Sequence, residues 1–328
     1  MKSLFFLLVF FSFSLFAKGE KREYKINDCH LHLVDFLQHE GSIFSFVQSM
    51  NEIGIDHVIA FGLPYVKKWD SREPEQPFYY LVDDARCYWY SLTDTIVAQE
   101  ILKLSKKDRQ RFHPMICGFN PTDRNAIEHV KRMFAMFPNF WEGIGEILTR
   151  HDDLTALVYG ETARANHIAL DPIYEFAAEK DLPVFIHSNI GSVWRREPIY
   201  LNEIEEVVKK HPKTRFVWCH AGISRRILVP STIQHVRRLL STYSNLFVDL
   251  SWEIYDLYLV KEGKPDKQWL SLEEEFPDRF LIGSDQVGHS EGYKETLLRY
   301  FLILDALKPQ TAKKIAHENF LKILPKKK

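Results

Sequence analysis

The sequence predicts a single α/β domain, a parallel sheet closed as a (β/α)8 TIM barrel. Three observations carry that expectation. Short apolar runs recur along the chain, each followed by a stretch with helical periodicity. The runs are nearly continuously apolar, as strands buried on both faces must be. Polar residues gather at the carboxyl ends of the runs, the face on which barrels of this kind hold their sites. Composition agrees. A chain of 328 residues with 45% hydrophobic and 27% charged residues is ordinary globular protein, which excludes disordered, collagen-like and polytopic membrane classes. Lys and Arg total 43 against 44 Asp and Glu. That balance supplies no bulk field for gripping nucleic acid or an anionic membrane, so neither is expected as a partner.

The strand runs are residues 24–29, 57–62 (HVIAFG), 114–119 (PMICGF), 142–147 (EGIGEI), 183–187 (PVFIH), 215–220 (RFVWCH), 246–250 (LFVDL) and 280–285 (FLIGSD). Amphipathic stretches at 42–53, 94–104, 123–137, 172–179, 201–210, 231–240, 269–275 and 294–304 read as the intervening helices. Asp123 is placed to cap the third, and Asp171 precedes a proline that opens the fourth. A doubly wound open sheet is the alternative, but it would normally carry a glycine-rich phosphate loop after the first strand. Here that position reads DCHLH, with no glycine before Gly41. No shift in composition marks a second domain.

The first residues stand apart. Lys2 is followed by an apolar run at 4–16, then Ala17 and a charged stretch, the three-part pattern of a secretory signal. The expected organisation is therefore a signal peptide at 1–17 and the barrel at 18–328, with a periplasmic or secreted mature protein free of the membrane. Cys29, Cys87, Cys117 and Cys219 show no CxxC spacing. They read as small core residues.

The chemistry-bearing residues close the strands. His30 and His32 form an HxH whose two side chains share one face, because strand side chains alternate; Cys29 and Leu31 then face the helices. Glu146 ends the fourth strand, His187 the fifth, His220 the sixth and Asp285 the eighth. Each alone has an ordinary account, as a hydrogen-bonded core histidine, a helix cap or an ion-pair partner. Together they place imidazoles and carboxylates at one level, and such a set binds Zn²⁺ or a similar divalent ion. His57 and His113 start strands and lie at the opposite, structural end.

The set DCHLH, GIGEI, FIHS, WCHAG and GSD resembles the amidohydrolase superfamily, and most closely its amidohydrolase family 2 branch of metal-dependent hydrolases and some decarboxylases. The closing stretch IAHENFLKIL (315–324) is similar to that branch as well. The resemblance implies His30, His32, His187 and Asp285 as metal ligands. It implies His220 as a second-metal ligand in a binuclear site, or as a catalytic or orienting residue in a mononuclear one. Many binuclear relatives carry a carboxylated lysine on the fourth strand; this chain has Glu146 there, as in the TatD-like nucleases, where a glutamate bridges two metals. Likeness to the family 2 branch favours one zinc-type ion, and two if Glu146 bridges.

The expected reaction is hydrolysis of a C–N or C–O bond at the carbonyl centre of a small molecule by metal-activated water. Asp285 moves the proton, His220 polarises the carbonyl, and Glu146 serves as bridge or proton relay. Non-oxidative decarboxylation of a small, for instance aromatic, acid is the alternative, a non-catalytic periplasmic binding protein a further one, and a metal-dependent nuclease a fourth, disfavoured by the charge balance. The long second loop, 63–93, carries Tyr65, Trp69, Arg72, Tyr79, Tyr80, Arg86, Tyr88, Trp89 and Tyr90, suited to a planar or carboxylated substrate. Arg150 or Arg195 is the expected partner of a substrate anion, with Trp252, Arg225 and His289 on the same face. Self-association into a homo-oligomer is left open.

Overall fold

The structure is a computed structural model, and it describes residues 24–68 and 85–326. The expected signal peptide at 1–17 and the loop residues Trp69, Arg72, Tyr79 and Tyr80 lie outside the described residues.

Parallel strands pair in chain order: β1 (Asp28–His32), β2 (Val58–Phe61), β3 (Phe112–Ile116), β4 (Gly143–Thr149), β5 (Pro183–Ser188), β6 (Arg215–Cys219), β7 (Leu246–Asp249) and β8 (Phe280–Leu281). One stretch of chain closes the cylinder. β8 pairs with β7, and the short segment Gln286–Val287 pairs in parallel with β1. Between them Cys29 N donates to Ile282 O at 2.9 Å and Asp285 N to His30 O at 2.8 Å. The protein is a (β/α)8 TIM barrel.

Each expected run carries a strand, with shifts that have local causes. β1 begins later than expected and continues through His32, because Asn27 N is already engaged by Ala316 O at 2.8 Å in the closing helical segment. The HxH therefore lies inside the strand. Cys29 does not face the helices as expected. The register of β1 on β2 shifts between Asp28 and Leu31, and Cys29 joins Ile59, Phe61, Met115, Phe185 and Val217 in the interior of the cylinder. Leu31 packs outward among the helices as its alternation requires. All four cysteines are buried and none of them forms a disulfide.

The helices follow the periodicity: α1 (Ile43–Ile53), α2 (Thr93–Leu102), α3 (Ala126–Met136), α4 (Asp171–Glu179), α5 (Leu201–Lys210), α6 (Thr232–Thr242), α7 (Lys267–Glu275) and α8 (Tyr293–Leu298). Asp123 caps a turn ahead of α3, accepting from Asn125 N at 2.8 Å, and the helix starts later. α7 starts earlier than expected because Asp266 accepts from Gln268 N and Trp269 N. The last expected helix is broken into α8 and Phe301–Leu304. At the amino-terminal end of the cylinder, Phe320 packs on His57 and His113, whose rings join through Nδ1 and Nε2 at 3.0 Å. After β2 the chain forms an antiparallel hairpin, Tyr65–Lys67 with Cys87–Trp89. Among the described residues no helix is long and apolar enough to cross a membrane.

Candidate metal centre

Five strands deliver one buried cluster from their carboxyl halves; Glu146 lies midway along β4 rather than ending it, because that strand runs on to Thr149. His30 and His32 project from β1 into the cylinder with Nε2 atoms 3.1 Å apart. Glu146 comes from β4, whose register on β5 shifts between Ile144 and Ile147. Gly145 makes that shift possible: its φ is +128°, and a Cβ there would lie 2.4 Å from Phe185 O. His187 is in β5. His220 and Asp285 follow β6 and β8 with φ of 55° and 51°. A non-glycine residue in that left-handed region costs about 1 kcal/mol or more, strain that concentrates at functional sites.

Glu146 divides the cluster. Its Oε2 lies 3.4 Å from His32 Nε2 and 3.6 Å from His30 Nε2, and Asp285 Oδ1 is 3.4 Å from each of those nitrogens. Its Oε1 faces the other way, 3.3 Å from His187 Nδ1 and 3.5 Å from His220 Nε2. Asp285 Oδ2 reaches to 3.8 Å from His220 Nε2. The opposite nitrogen of each ring is held from behind. His30 Nδ1 meets Asp249 Oδ2 at 2.8 Å, and His32 Nδ1 donates to Gly62 O at 2.7 Å. His220 Nδ1 donates to Ser251 O at 3.0 Å, and His187 Nε2 to Asn189 Oδ1 at 3.0 Å. Each ring thus aims a lone pair at the cluster.

These residues fit a divalent cation. Glu146 Oε1 is buried with no hydrogen-bond partner, although two imidazole nitrogens stand just beyond bonding distance. Subsets of the cluster's nitrogens and oxygens lie within 4.8 Å of one another, as ligands around a shared point do. The electrostatics agree. Burial pushes Glu146 upward, yet the His30 charge and contacts from His187 and His220 outweigh it and hold the acid well below the usual carboxylate range. Burial works to lower His32, and Asp285 and Glu146 reverse that, raising it to about 9. The surrounding carboxylates thus favour protons on the His30 and His32 rings, and a cation would compete with those protons for the same lone pairs.

Above the cluster lies a cavity of about 220 Å³ whose walls include Phe36, Leu63, His151, Arg225, Trp252 and His289. Trp252 stands where expected, its ring centroid 5.1 Å from that of His220. The His151 ring lies tilted against that of His187, centroids 4.6 Å apart, and burial, with the nearby His187, lowers its pKa to about 3, so it is neutral. Arg150 and Arg195 are not brought to the cavity. Arg150 Nε donates to Glu203 Oε2 at 2.9 Å and its guanidinium covers the Tyr200 ring at 3.7 Å, which turns it into the helical shell. Arg195 is exposed on a tight turn with Ser192. Among the described residues Arg225 lines the cavity, paired with Glu253 at 2.7 Å. Asp249 and Asn189 are functional neighbours that the sequence reading misses. Both are polar residues at strand ends, the same signal that marked the ligands.

Fold and site together define a barrel enzyme built around a divalent-metal centre. The chain belongs to the amidohydrolase family, a metal-dependent family whose model, described as Amidohydrolase, matches residues 146–326. The matched stretch contains Glu146, His187, His220 and Asp285; the HxH lies before it. No curated protein matches the chain. Among solved structures it is similar to an uncharacterized TIM-barrel protein from Bordetella bronchiseptica, at 18% identity and a TM-score of 0.58, covering 91% of this chain and 98% of that one. It is also similar to a probable 2-pyrone-4,6-dicarboxylic acid hydrolase from Acinetobacter baumannii with citric acid bound (13%, 0.56, 91% and 98%). A third is an amidohydrolase from Burkholderia multivorans with bound zinc (13%, 0.56, 92% and 100%). At these identities the shared property is the fold.

Proposed function

We propose that the protein hydrolyses a C–N or C–O bond at the carbonyl centre of a small molecule, using divalent cations, zinc the first choice, held on both sides of Glu146. The carrying observation is the division of the Glu146 oxygens between two groups of ligands. His30, His32, Asp285 and Oε2 would hold one cation; His187, His220 and Oε1 would hold the other. This departs from the single ion that family likeness favoured, and it makes His220 a ligand. A divalent cation supplies Lewis acidity to a carbonyl and lowers the pKa of water towards ~7.

The chain's own groups do the rest. Glu146 and Asp285 both line the cavity, and Asp285 is the more exposed acid, its side chain 12% exposed against 3% for Glu146. Asp285 takes the proton of the attacking water and returns it to the leaving group. Trp252, Leu63 and Phe36 give the cavity apolar walls that orient a small substrate. Arg225 suits an anionic substituent. The leader-like residues 1–17 support an exported enzyme.

The test begins with elemental analysis of protein purified without a histidine tag, followed by incubation with a panel of lactones, esters, amides and small carboxylic acids. Cation with products that have gained water supports the reading. Carbon dioxide released from an acid moves it to decarboxylation, and cation binding without turnover of any compound moves it to a binding protein. Protein that takes up no cation even on reconstitution overturns it.

A further inference from the structure

We propose that Asp249 is the positioning residue that holds both halves of the centre in register, an inference that rests on the metal-binding reading above. β7 ends at Asp249 and contributes no side chain to the cluster around Glu146. Yet this carboxylate, fully buried, touches the back of the His30 imidazole and, through Ser251, orients that of His220. Oδ2 accepts from His30 Nδ1 at 2.8 Å and from Ser251 Oγ at 2.7 Å. Oδ1 accepts from Ser251 N at 2.7 Å and from Cys29 Sγ at 3.3 Å. Ser251, fixed by those two bonds, presents its carbonyl to His220 Nδ1 at 3.0 Å and its Oγ at 3.1 Å. His30 belongs to the group around Glu146 Oε2 and His220 to the group around Oε1, so one acid on a strand between them orients a ligand of each.

The partners of the other two rings are neutral. His32 donates to a backbone carbonyl and His187 to an amide oxygen. His30 alone, among the four, has a carboxylate hydrogen-bonded directly behind it. An anionic partner fixes the proton on Nδ1 and makes Nε2 the more basic donor. The four donors around Asp249 also explain why an amide cannot replace it. An asparagine side chain at this position would have one acceptor oxygen. If its NH2 faced His30 Nδ1, that nitrogen would have to accept, and the ring proton would move to Nε2, the atom aimed at the cluster.

The experiment compares wild type with Asp249→Asn and Ser251→Ala. Each protein is stripped of metal, its zinc affinity is measured by competition with a chromophoric chelator, and its imidazole N–H resonances are recorded after zinc loading. Thermal unfolding of the stripped proteins shows whether the fold is kept. The expected result is a 10–100-fold loss of zinc affinity in Asp249→Asn, a smaller loss in Ser251→Ala, and disappearance of a slowly exchanging His30 Nδ1–H resonance seen in wild type. Unchanged affinity in a folded Asp249→Asn overturns the inference and leaves the metal centre standing. Should Asp249→Asn fail to fold, Ser251→Ala and the wild-type spectrum decide: unchanged zinc affinity in Ser251→Ala, or a His30 proton on Nε2 in wild type, overturns the inference. Wild type that binds no zinc overturns the metal centre itself.

Discussion

Glu146 Oε1 and His187 Nδ1 lie 3.3 Å apart, while the other oxygen of the same carboxylate faces the β1 histidines. A carboxylate placed this way suits the two-cation centre proposed above, with one oxygen for each group of ligands. Glu146→Gln removes the negative charge from both groups and puts a donor where an acceptor is required. The expected outcome is a fall from two equivalents of bound divalent metal to one or fewer, read by elemental analysis after dialysis. Two equivalents retained in the variant would show that Glu146 is not shared.

Asp285→Asn keeps the shape of the side chain and removes its capacity to take a proton. General acid–base groups contribute roughly 10²- to 10⁴-fold to rate. A fall in kcat of that order is expected, with the melting temperature of the metal-loaded protein held near that of wild type. The assay is turnover of whichever panel compound wild type consumes.

Arg150 is a structural residue. Its partner Glu203 is buried, so Arg150→Ala leaves a buried carboxylate without its counterion, a change that costs roughly 3 kcal/mol. Chemical denaturation should show that loss. KM should stay within about twofold, because Arg150 does not line the cavity; Arg225→Ala is the substitution expected to raise KM.

Glu273 on α7 makes stability depend on pH. It is fully buried, neither of its carboxylate oxygens has a hydrogen-bond partner, and burial pushes it up to about 8, with Glu274 adding to the shift. Its folded pKa lies above the unfolded one. The protonated form therefore stabilises the fold fully below about 4.5, and that contribution is lost as pH rises through about 8. The loss is on the order of 4–5 kcal/mol at full ionisation. Glu273→Gln should flatten the difference in melting temperature between pH 5 and pH 9. An identical pH slope in both proteins would rule this out.

The sequence displays the barrel because strands covered on both faces need unbroken apolar runs, and those runs are local. It displays the ligands for the same reason. A histidine closing an otherwise apolar strand, as His187 and His220 do, is conspicuous without any partner in view. What it conceals depends on distant partners. Arg150 points at a cavity until Glu203, 53 positions on, is seen to take it. Asp249 is one acid in an apolar run until His30, 219 positions earlier, is found against it. Cys29 changes face because β1 slips on β2, a shift set by neighbouring strands that no alternation within β1 reveals.

The stretch from β8 to Val287 bonds to β7 on one side and to β1 on the other, and Asp285 lies on that seam. A nascent chain still short of residue 285 therefore carries histidines but no completed cage. On the metal-binding reading proposed above, full ligation of a cation would await a cylinder already closed, so uptake of metal would report that closure.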